Sequence, residues 1–87
     1  MEIRVTLHNQ LGLHARPAAL LAQCAARFAA TVTVATGHSS TDARSILGLL
    51  SLCAPTGTEL MITAEGSDAA EAIAAIQTLC DGNFGEA

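Results

Sequence analysis

Aromatic and basic side chains are scarce in this sequence. Its only aromatic residues are Phe28 and Phe84, and four basic residues stand against eight acidic ones, for a formal net charge of −4. Nucleic-acid-binding surfaces need aromatic side chains on which bases can stack, and basic stripes that follow the phosphate backbone. We therefore expect no nucleic-acid partner.

Long apolar runs are missing as well. Arg16, Gln23 and Arg27 interrupt the most hydrophobic region, so no stretch approaches the roughly 20 apolar residues of a membrane-spanning helix. Residues 1–5 alternate like a strand and do not resemble the apolar core of a signal peptide. These observations predict a cytoplasmic protein without membrane insertion.

The three cysteines lack the short paired spacing of a zinc site. Cys24, Cys53 and Cys80 form no ligand pattern with one another or with the three histidines. We interpret them as small hydrophobic side chains in a reducing compartment. The sequence predicts no metal and no cofactor.

What the chain does contain is a clear alternation of strand and helix patterns. Its 87 residues, 51% of them hydrophobic, suffice for one small domain spanning 1–87. Apolar residues at every second position predict strands at about 2–8, 31–35 and 59–65. The turn residues at 36–39 indicate a hairpin, whose weakly patterned returning segment 39–43 we interpret as a short edge strand. Helical spacing predicts helices at about 15–29, 45–52 and 69–80. The order βαββαβα favours a two-layer α+β sandwich with one face of a single sheet covered, and it is also compatible with ferredoxin-like folds.

The ends of the helices carry further expectations. Asp42 or Arg44 is a candidate cap for the second helix, and Asp68 with Glu71 resembles a capping box at the third. The tail after Asn83 is expected to be loose.

The segment from Gly12 to Ala18 has the strongest chemical signal. His14 and Arg16 lie at the start of the predicted first helix, and Pro17 suits a first turn, which does not need its missing N–H. First-turn amides have no partner within the helix and bind anions. A neutral imidazole is nucleophilic near pH 7, and a guanidinium can hold phosphate oxygens. Our hypothesis is a phosphoryl group carried on His14.

Simpler interpretations exist for each of these residues. His14 taken alone is a solvent-facing or capping histidine, and we interpret His8 and His38 as structural or exposed. Ser45 is a hydroxyl at a helix start that accepts a hydrogen bond from a backbone N–H. The second helix has more leucines than one face can bury, which indicates either ordinary exposed residues or a patch that docks a partner.

Two segments resemble HPr, the histidine-containing phosphocarrier family of the bacterial phosphoenolpyruvate:sugar phosphotransferase system. Residues 9–19 read Asn-Gln-Leu-Gly-Leu-His-Ala-Arg-Pro-Ala-Ala, and residues 44–52 read Arg-Ser-Ile-Leu-Gly-Leu-Leu-Ser-Leu. The separation of His14 from Ser45 and the segment 62–66 also suit the family, so the resemblance covers nearly the whole chain. It implies an open-faced sandwich of four antiparallel strands in the order 1-4-2-3, with three helices on one face.

The resemblance also implies roles for residues. Enzyme I would phosphorylate His14, on Nδ1, at the expense of phosphoenolpyruvate, and His14 would pass the phosphoryl group to IIA domains of sugar permeases. Arg16 and the first-helix amides of Ala15 and Arg16 would bind the phosphoryl group. Ser45 matches the serine that HPr kinase/phosphorylase modifies in many Gram-positive bacteria. The chain would be a monomeric carrier and not an enzyme, with a docking surface formed by Pro17, Ala19, Leu47 and Leu50.

Some residues depart from the family pattern, and other functions stay open. Arg44 stands where lysine is usual, and Cys53 replaces a common glycine. A paralogue in a nitrogen-related or dihydroxyacetone kinase phosphorelay would have the same motifs, because the sequence does not identify the partner proteins. A binding protein that has lost transfer would be expected to lack His14. A phosphohistidine hydrolase would need an acid–base partner that the segment does not offer.

Overall fold

Strands with apolar residues at alternate positions build a four-stranded antiparallel sheet, and three helices pack on it. The computed structural model describes residues 1–86. Along the chain the elements are β1 (Glu2–Thr6), α1 (Ala15–Ala26), β2 (Thr31–Ala35), β3 (Ser40–Asp42), α2 (Ile46–Ser51), β4 (Glu59–Glu65), α3 (Ala69–Asp81) and a 3-10 turn (Asn83–Gly85).

The sheet has the strand order β1-β4-β2-β3. Ile62 on the central strand β4 lies opposite Val34 of β2 and Ile3 of β1. Ile62 and Val34 are completely buried, whereas Met61 and Thr63, which point to the other face, are half-buried. The helices therefore cover one face only, and both the α+β class and the predicted order 1-4-2-3 are confirmed.

The first helix is shorter than its apolar pattern suggests. It ends at Ala26, three residues before the predicted end. The amides of Arg27 and Phe28 donate to carbonyls three residues back, those of Cys24 and Ala25, at 3.2 Å. Such i→i+3 bonds tighten the last turn of a helix, so the chain leaves the helix although Phe28 continues the apolar spacing.

The cap of α2 differs from the prediction. Ser45 is the N-cap of α2, and its Oγ accepts a hydrogen bond from the Gly48 amide at 2.9 Å. The proposed caps Asp42 and Arg44 instead bond to each other, with 3.0 Å between the Arg44 guanidinium and Asp42 Oδ2. The simple interpretation of Ser45 as a capping hydroxyl is confirmed.

Asp68 does not form the expected capping box. It occupies the N-cap position of α3 but makes no capping bond with its side chain. Its carboxylate instead accepts from the amides of Ala29 and Ala30, both at 2.8 Å. The carboxylate thus joins the start of α3 to the turn between α1 and β2, where two amides need acceptors.

The cysteines divide into two kinds. Cys24 is buried and Cys80 is half-buried, as expected for small hydrophobic residues, and all three thiols are free. Burial raises the pKa of Cys80 to about 12, with smaller contributions from Asp81 and Cys24. Cys53 is exposed, so it does not pack as the small hydrophobic side chain that we expected.

The C-terminal residues are folded onto the domain. Phe84 is only 2% exposed, and the Glu86 amide donates to the Asn83 carbonyl at 2.9 Å. The expectation of a loose tail is therefore wrong for residues 83–86; residue 87 lies outside the described residues. Within residues 1–86, no helix combines the length and apolar character needed to cross a lipid bilayer.

Candidate functional site

His14 is the N-cap residue of α1, with extended backbone angles of φ −87° and ψ −169°. Its carbonyl accepts from the Ala18 amide at 3.0 Å, which begins the helical hydrogen bonding. The side chain is 31% exposed. The imidazole therefore lies at the surface beside the open end of the helix and does not point into the core.

The turn before His14 is fixed by the loop that follows α2. The Leu13 amide donates to the Ala54 carbonyl at 2.9 Å. Gly12 has a φ of +65°, and a Cβ placed there would come within 2.7 Å of Pro55 Cα. Only glycine combines this conformation with so close a backbone contact, so the loop after α2 sets the position of His14.

Glu86 reaches the imidazole from the C-terminal tail. Its carboxylate lies 2.9 Å (Oε2) and 3.2 Å (Oε1) from His14 Nε2. Asn9, which is completely buried, donates from Nδ2 to Glu86 Oε1 at 3.0 Å and also to the Gly12 carbonyl. Neither Glu86 nor Asn9 was singled out from the sequence, and Glu86 carries no local signal that could have identified it.

Electrostatic contacts hold Glu86 in its ionised form. Burial pushes the pKa of this carboxyl up, but hydrogen bonds from Asn9 and His14 and the charges of His14 and Arg16 outweigh it, so the pKa lies below its ordinary value. A carboxylate that accepts hydrogen bonds only in its charged form behaves in this way. The site thus contains a fixed negative charge on the Nε2 side of the ring.

The other polar groups at the start of α1 are available to an anion. The Ala15 and Arg16 amides lie in the first turn, where the helix supplies no acceptor, and no hydrogen bond between described residues uses them. The Arg16 side chain is exposed and forms no ion pair in the described part of the chain. His14 Nδ1 also has no hydrogen-bond partner among residues 1–86.

Helix α2 packs beside α1 and presents apolar side chains to solvent. Leu47 is 78% exposed and Ile46 is 42% exposed, whereas Ala19 of α1 and Leu50 are half-buried. Pro17, however, is completely buried. The docking role expected for Pro17 is therefore wrong, because its ring belongs to the core beneath the site.

Other parts of the molecule offer less chemistry. A groove of about 370 Å³ between α1 and α3 is lined by residues such as Leu20, Arg27 and Leu79, and it does not include His14. Among residues 1–86, no three histidine, cysteine or acidic side chains come close enough to hold a metal ion.

Comparisons with known proteins agree with this architecture. The family model described as the PTS HPr component phosphorylation site matches residues 1–81. The phosphocarrier protein NPr of Shewanella violacea is 42% identical over 87 residues, which cover 100% of this chain and 96% of that protein. The phosphocarrier protein HPr of Mycoplasma capricolum is 40% identical over 74 residues, 84% of this chain and 83% of that one.

A solved structure matches as well. The crystal structure of HPr-C-His from Thermoanaerobacter tengcongensis superposes with a TM-score of 0.95 at 39% identity, covering 100% of this chain and 98% of the other. Sequence and fold thus agree over the full length of the described chain. The chain belongs to the HPr family of phosphocarrier proteins of the phosphotransferase system.

Proposed function

We propose that this chain accepts a phosphoryl group on His14 from phosphorylated enzyme I and passes it to IIA domains of sugar permeases in the cytoplasm. The observation that supports this is the position of the imidazole at the open N-terminus of α1, half-exposed, with Nε2 bound to Glu86. Nδ1 is then the nitrogen left to react, and two amides and the Arg16 guanidinium lie beside it in the chain.

The transfer needs no cofactor. The lone pair on Nδ1 attacks the phosphorus atom of the donor's phosphohistidine, and the donor's N–P bond breaks as the new one forms. The bonding electron pair returns to the donor's imidazole nitrogen, and His14 becomes a phosphorylated imidazolium that keeps its proton on Nε2. The second transfer repeats this displacement, with the His14 ring as leaving group. The partners supply in-line positioning and charge neutralisation.

The exposed end of α2 supports a docking role. Leu47, with Ala19 and Leu50 next to it, would form an apolar surface beside the phosphorylated histidine. A small domain leaves such a patch in water only at a cost, which a partner surface removes. We propose that enzyme I and the IIA domains bind a monomer of this chain through that surface.

Ser45 is a candidate site of regulation. Its hydroxyl caps α2 directly before the exposed residues Ile46 and Leu47, so a phosphate there would add negative charge at the edge of the proposed docking surface. We propose that HPr kinase/phosphorylase, where the host has one, modifies this residue.

Incubation with phosphoenolpyruvate and enzyme I tests the carrier function. We expect one acid-labile phosphate per chain, which His14→Ala should abolish. His8→Ala and His38→Ala are matched controls and should retain it. Labelling that survives in the His14→Ala variant, or that is lost with His8 or His38, would refute the assignment.

A nitrogen-related phosphorelay is a second candidate, because the relative from Shewanella violacea is a phosphocarrier protein NPr, 42% identical over the whole chain. The two candidates share the chemistry at His14 and differ in the donor. Phosphorylation rates measured with the sugar-type and the nitrogen-related enzyme I in parallel distinguish them, since the true donor should be faster by orders of magnitude in kcat/KM.

A further inference from the structure

On the side away from the reacting nitrogen, the ring of His14 is held by Glu86 from the C-terminal tail, and Glu86 is held in turn by Asn9. We infer that Glu86, itself held by Asn9, is a positioning residue that keeps the proton on Nε2 of His14 and offsets the positive charge of the phosphorylated ring. This inference rests on the proposed carrier function and adds a residue to its mechanism.

The geometry makes Nε2 the protonated nitrogen. An ionised carboxylate has only acceptor atoms, so at 2.9 Å from Nε2 the hydrogen must lie on the imidazole side. The neutral ring then has its lone pair on Nδ1, since the tautomer is set by the hydrogen bond that the other nitrogen makes. Glu86 thereby selects the nitrogen that can attack phosphorus.

An ordered turn in the C-terminal tail positions Glu86 beside His14. Asn83, Phe84 and Gly85 all have left-handed backbone angles, with φ values of +57°, +54° and +73°. Non-glycine residues adopt this region at a cost and persist there only where surrounding contacts hold them. The burial of Phe84 supplies such a contact, so the approach of Glu86 to His14 is part of the fold.

Asn9 fixes the carboxylate in turn. Its amide group donates to Glu86 Oε1 and to the Gly12 carbonyl, and thereby joins the tail to the turn that carries His14. Asn9 is fully buried, so its amide is held without competition from solvent. Glu86, Asn9 and the Gly12 carbonyl form one hydrogen-bonded chain that ends on His14 Nε2.

The charge of Glu86 changes the energetics of transfer. When Nδ1 gains the phosphoryl group, the ring becomes a cation that still has its Nε2 proton. The bond to the Glu86 carboxylate, which before was charged on the acceptor side only, then joins two opposite charges, and their attraction is added to the hydrogen bond. The phosphorylated state therefore gains more from Glu86 than the unphosphorylated state does, which raises the share of phosphate that the carrier holds at equilibrium.

Nuclear magnetic resonance of the unphosphorylated protein tests the tautomer directly. At a pH where the ring is neutral, ¹⁵N shifts of the wild-type imidazole should report the Nε2–H form almost alone. In Glu86→Ala we expect the Nδ1–H share to rise about fivefold, the factor that one net hydrogen bond contributes. Glu71→Ala is the matched control, since it removes the same side chain from an exposed position in the first turn of α3. An unchanged tautomer ratio in Glu86→Ala overturns the inference.

Phosphoryl exchange with enzyme I tests the charge. Glu86→Gln keeps the shape of the side chain and removes its charge. We expect the equilibrium share of phosphorylated carrier to fall about threefold, which is the effect of losing one charged hydrogen bond that is weakened by its partial exposure to solvent. An equal or larger share would contradict the role of the carboxylate. The tautomer measurement uses no donor, so it can fail while His14 is still phosphorylated, and the carrier function can fail while the tautomer result stands.

Discussion

At the scale of single residues, Arg16 is the cation best placed to meet an incoming phosphoryl group. It lies two residues after His14, is exposed and has no ion-pair partner among residues 1–86. Arg16→Glu should slow phosphoryl transfer from enzyme I about tenfold or more, because a charged hydrogen bond is lost and replaced by repulsion. Arg27→Glu, the same change at the other end of α1, should have a small effect. Equal rates for Arg16→Glu and wild type would remove the proposed role in binding phosphate.

The backbone at Cys53 is a second residue-scale feature. This residue follows the C-cap of α2 with a φ of +52°, a position that suits glycine because a Cβ is crowded there. Cys53→Gly should raise the free energy of unfolding by about 0.5–1 kcal/mol. Glycine relieves the backbone strain of the folded chain, and the greater entropy that it gives the unfolded chain cancels part of this gain. Urea denaturation measures this. Cys53→Ala keeps the Cβ and should bring no gain; a similar gain in both variants would assign the effect to the thiol.

The residues of the proposed site differ in how readily they can be identified from the sequence. His14 and Arg16 could be predicted because they lie within one short segment whose neighbours, Pro17 above all, mark a helix start. Glu86 could not, since it lies 72 positions from His14 and meets it only through the fold. Pro17 shows the opposite error, because a residue can belong to the site's segment and still point inward.

At the scale of secondary structure, α2 joins the proposed regulation to the docking surface. In Ser45→Asp the carboxylate can still cap the Gly48 amide, because aspartate is as good an N-cap as serine. The fold should therefore persist, while the new charge beside Leu47 should weaken binding to enzyme I, raising KM severalfold. Ser45→Asn is the control, since asparagine caps equally well without charge. If both variants behave alike, the charge has no part in recognition.

The turn between β4 and α3 contributes stability through one side chain. The Asp68 carboxylate accepts two backbone hydrogen bonds, and the Ala30 amide belongs to a buried residue. Asp68→Ala should lower the free energy of unfolding by about 1–3 kcal/mol, because a buried donor loses its acceptor. Ser67→Ala, on the exposed neighbouring residue, should change it little. Denaturation midpoints that coincide for the two variants would contradict this account.

Most elements could be predicted because their patterns are local. β2 and β4 have the bounds that alternation predicts, since β-branched and apolar residues repeat strictly in both. The ends of helices were less predictable. Asp68 occupies the cap position but bonds to Ala29 and Ala30, which are adjacent to it only in three dimensions, and a tertiary partner of this kind is invisible in a local pattern.

At the scale of the whole molecule, the tail closes the structure by bringing the last described residues against the first turn. A loose tail was expected because residues that follow the last helix are often poorly ordered. The fold overrides that tendency, since Phe84 finds a place in the core and its burial contributes about 1.5–3 kcal/mol. The N-terminal and C-terminal parts of the chain thus meet at the proposed site, where Glu86 and Asn9 contact each other.

Because Glu86 contacts His14 and Asn9 in the folded chain, the free energy of unfolding should depend on pH. The pKa of Glu86 is lower in the folded chain than its ordinary value of 4.5. Its ionised form therefore stabilises the fold in full above that value, and the contribution is lost as pH falls through the lower, folded pKa. The pKa of Asp42 is also lowered, chiefly by the Arg44 side chain, so the wild-type slope alone cannot identify the group responsible.

Comparison with Glu86→Gln isolates the contribution of the tail, because Asp42 is unchanged in that variant. We expect the unfolding free energy of wild type to fall more steeply than that of Glu86→Gln as the pH drops below about 4.5, and the two curves to converge in more acidic solution. Urea unfolding at a series of pH values measures both slopes, with Glu71→Gln as the charge-matched control. Parallel curves for wild type and Glu86→Gln would mean that the carboxylate does not bind the folded site, and the tail would then be held by Phe84 alone.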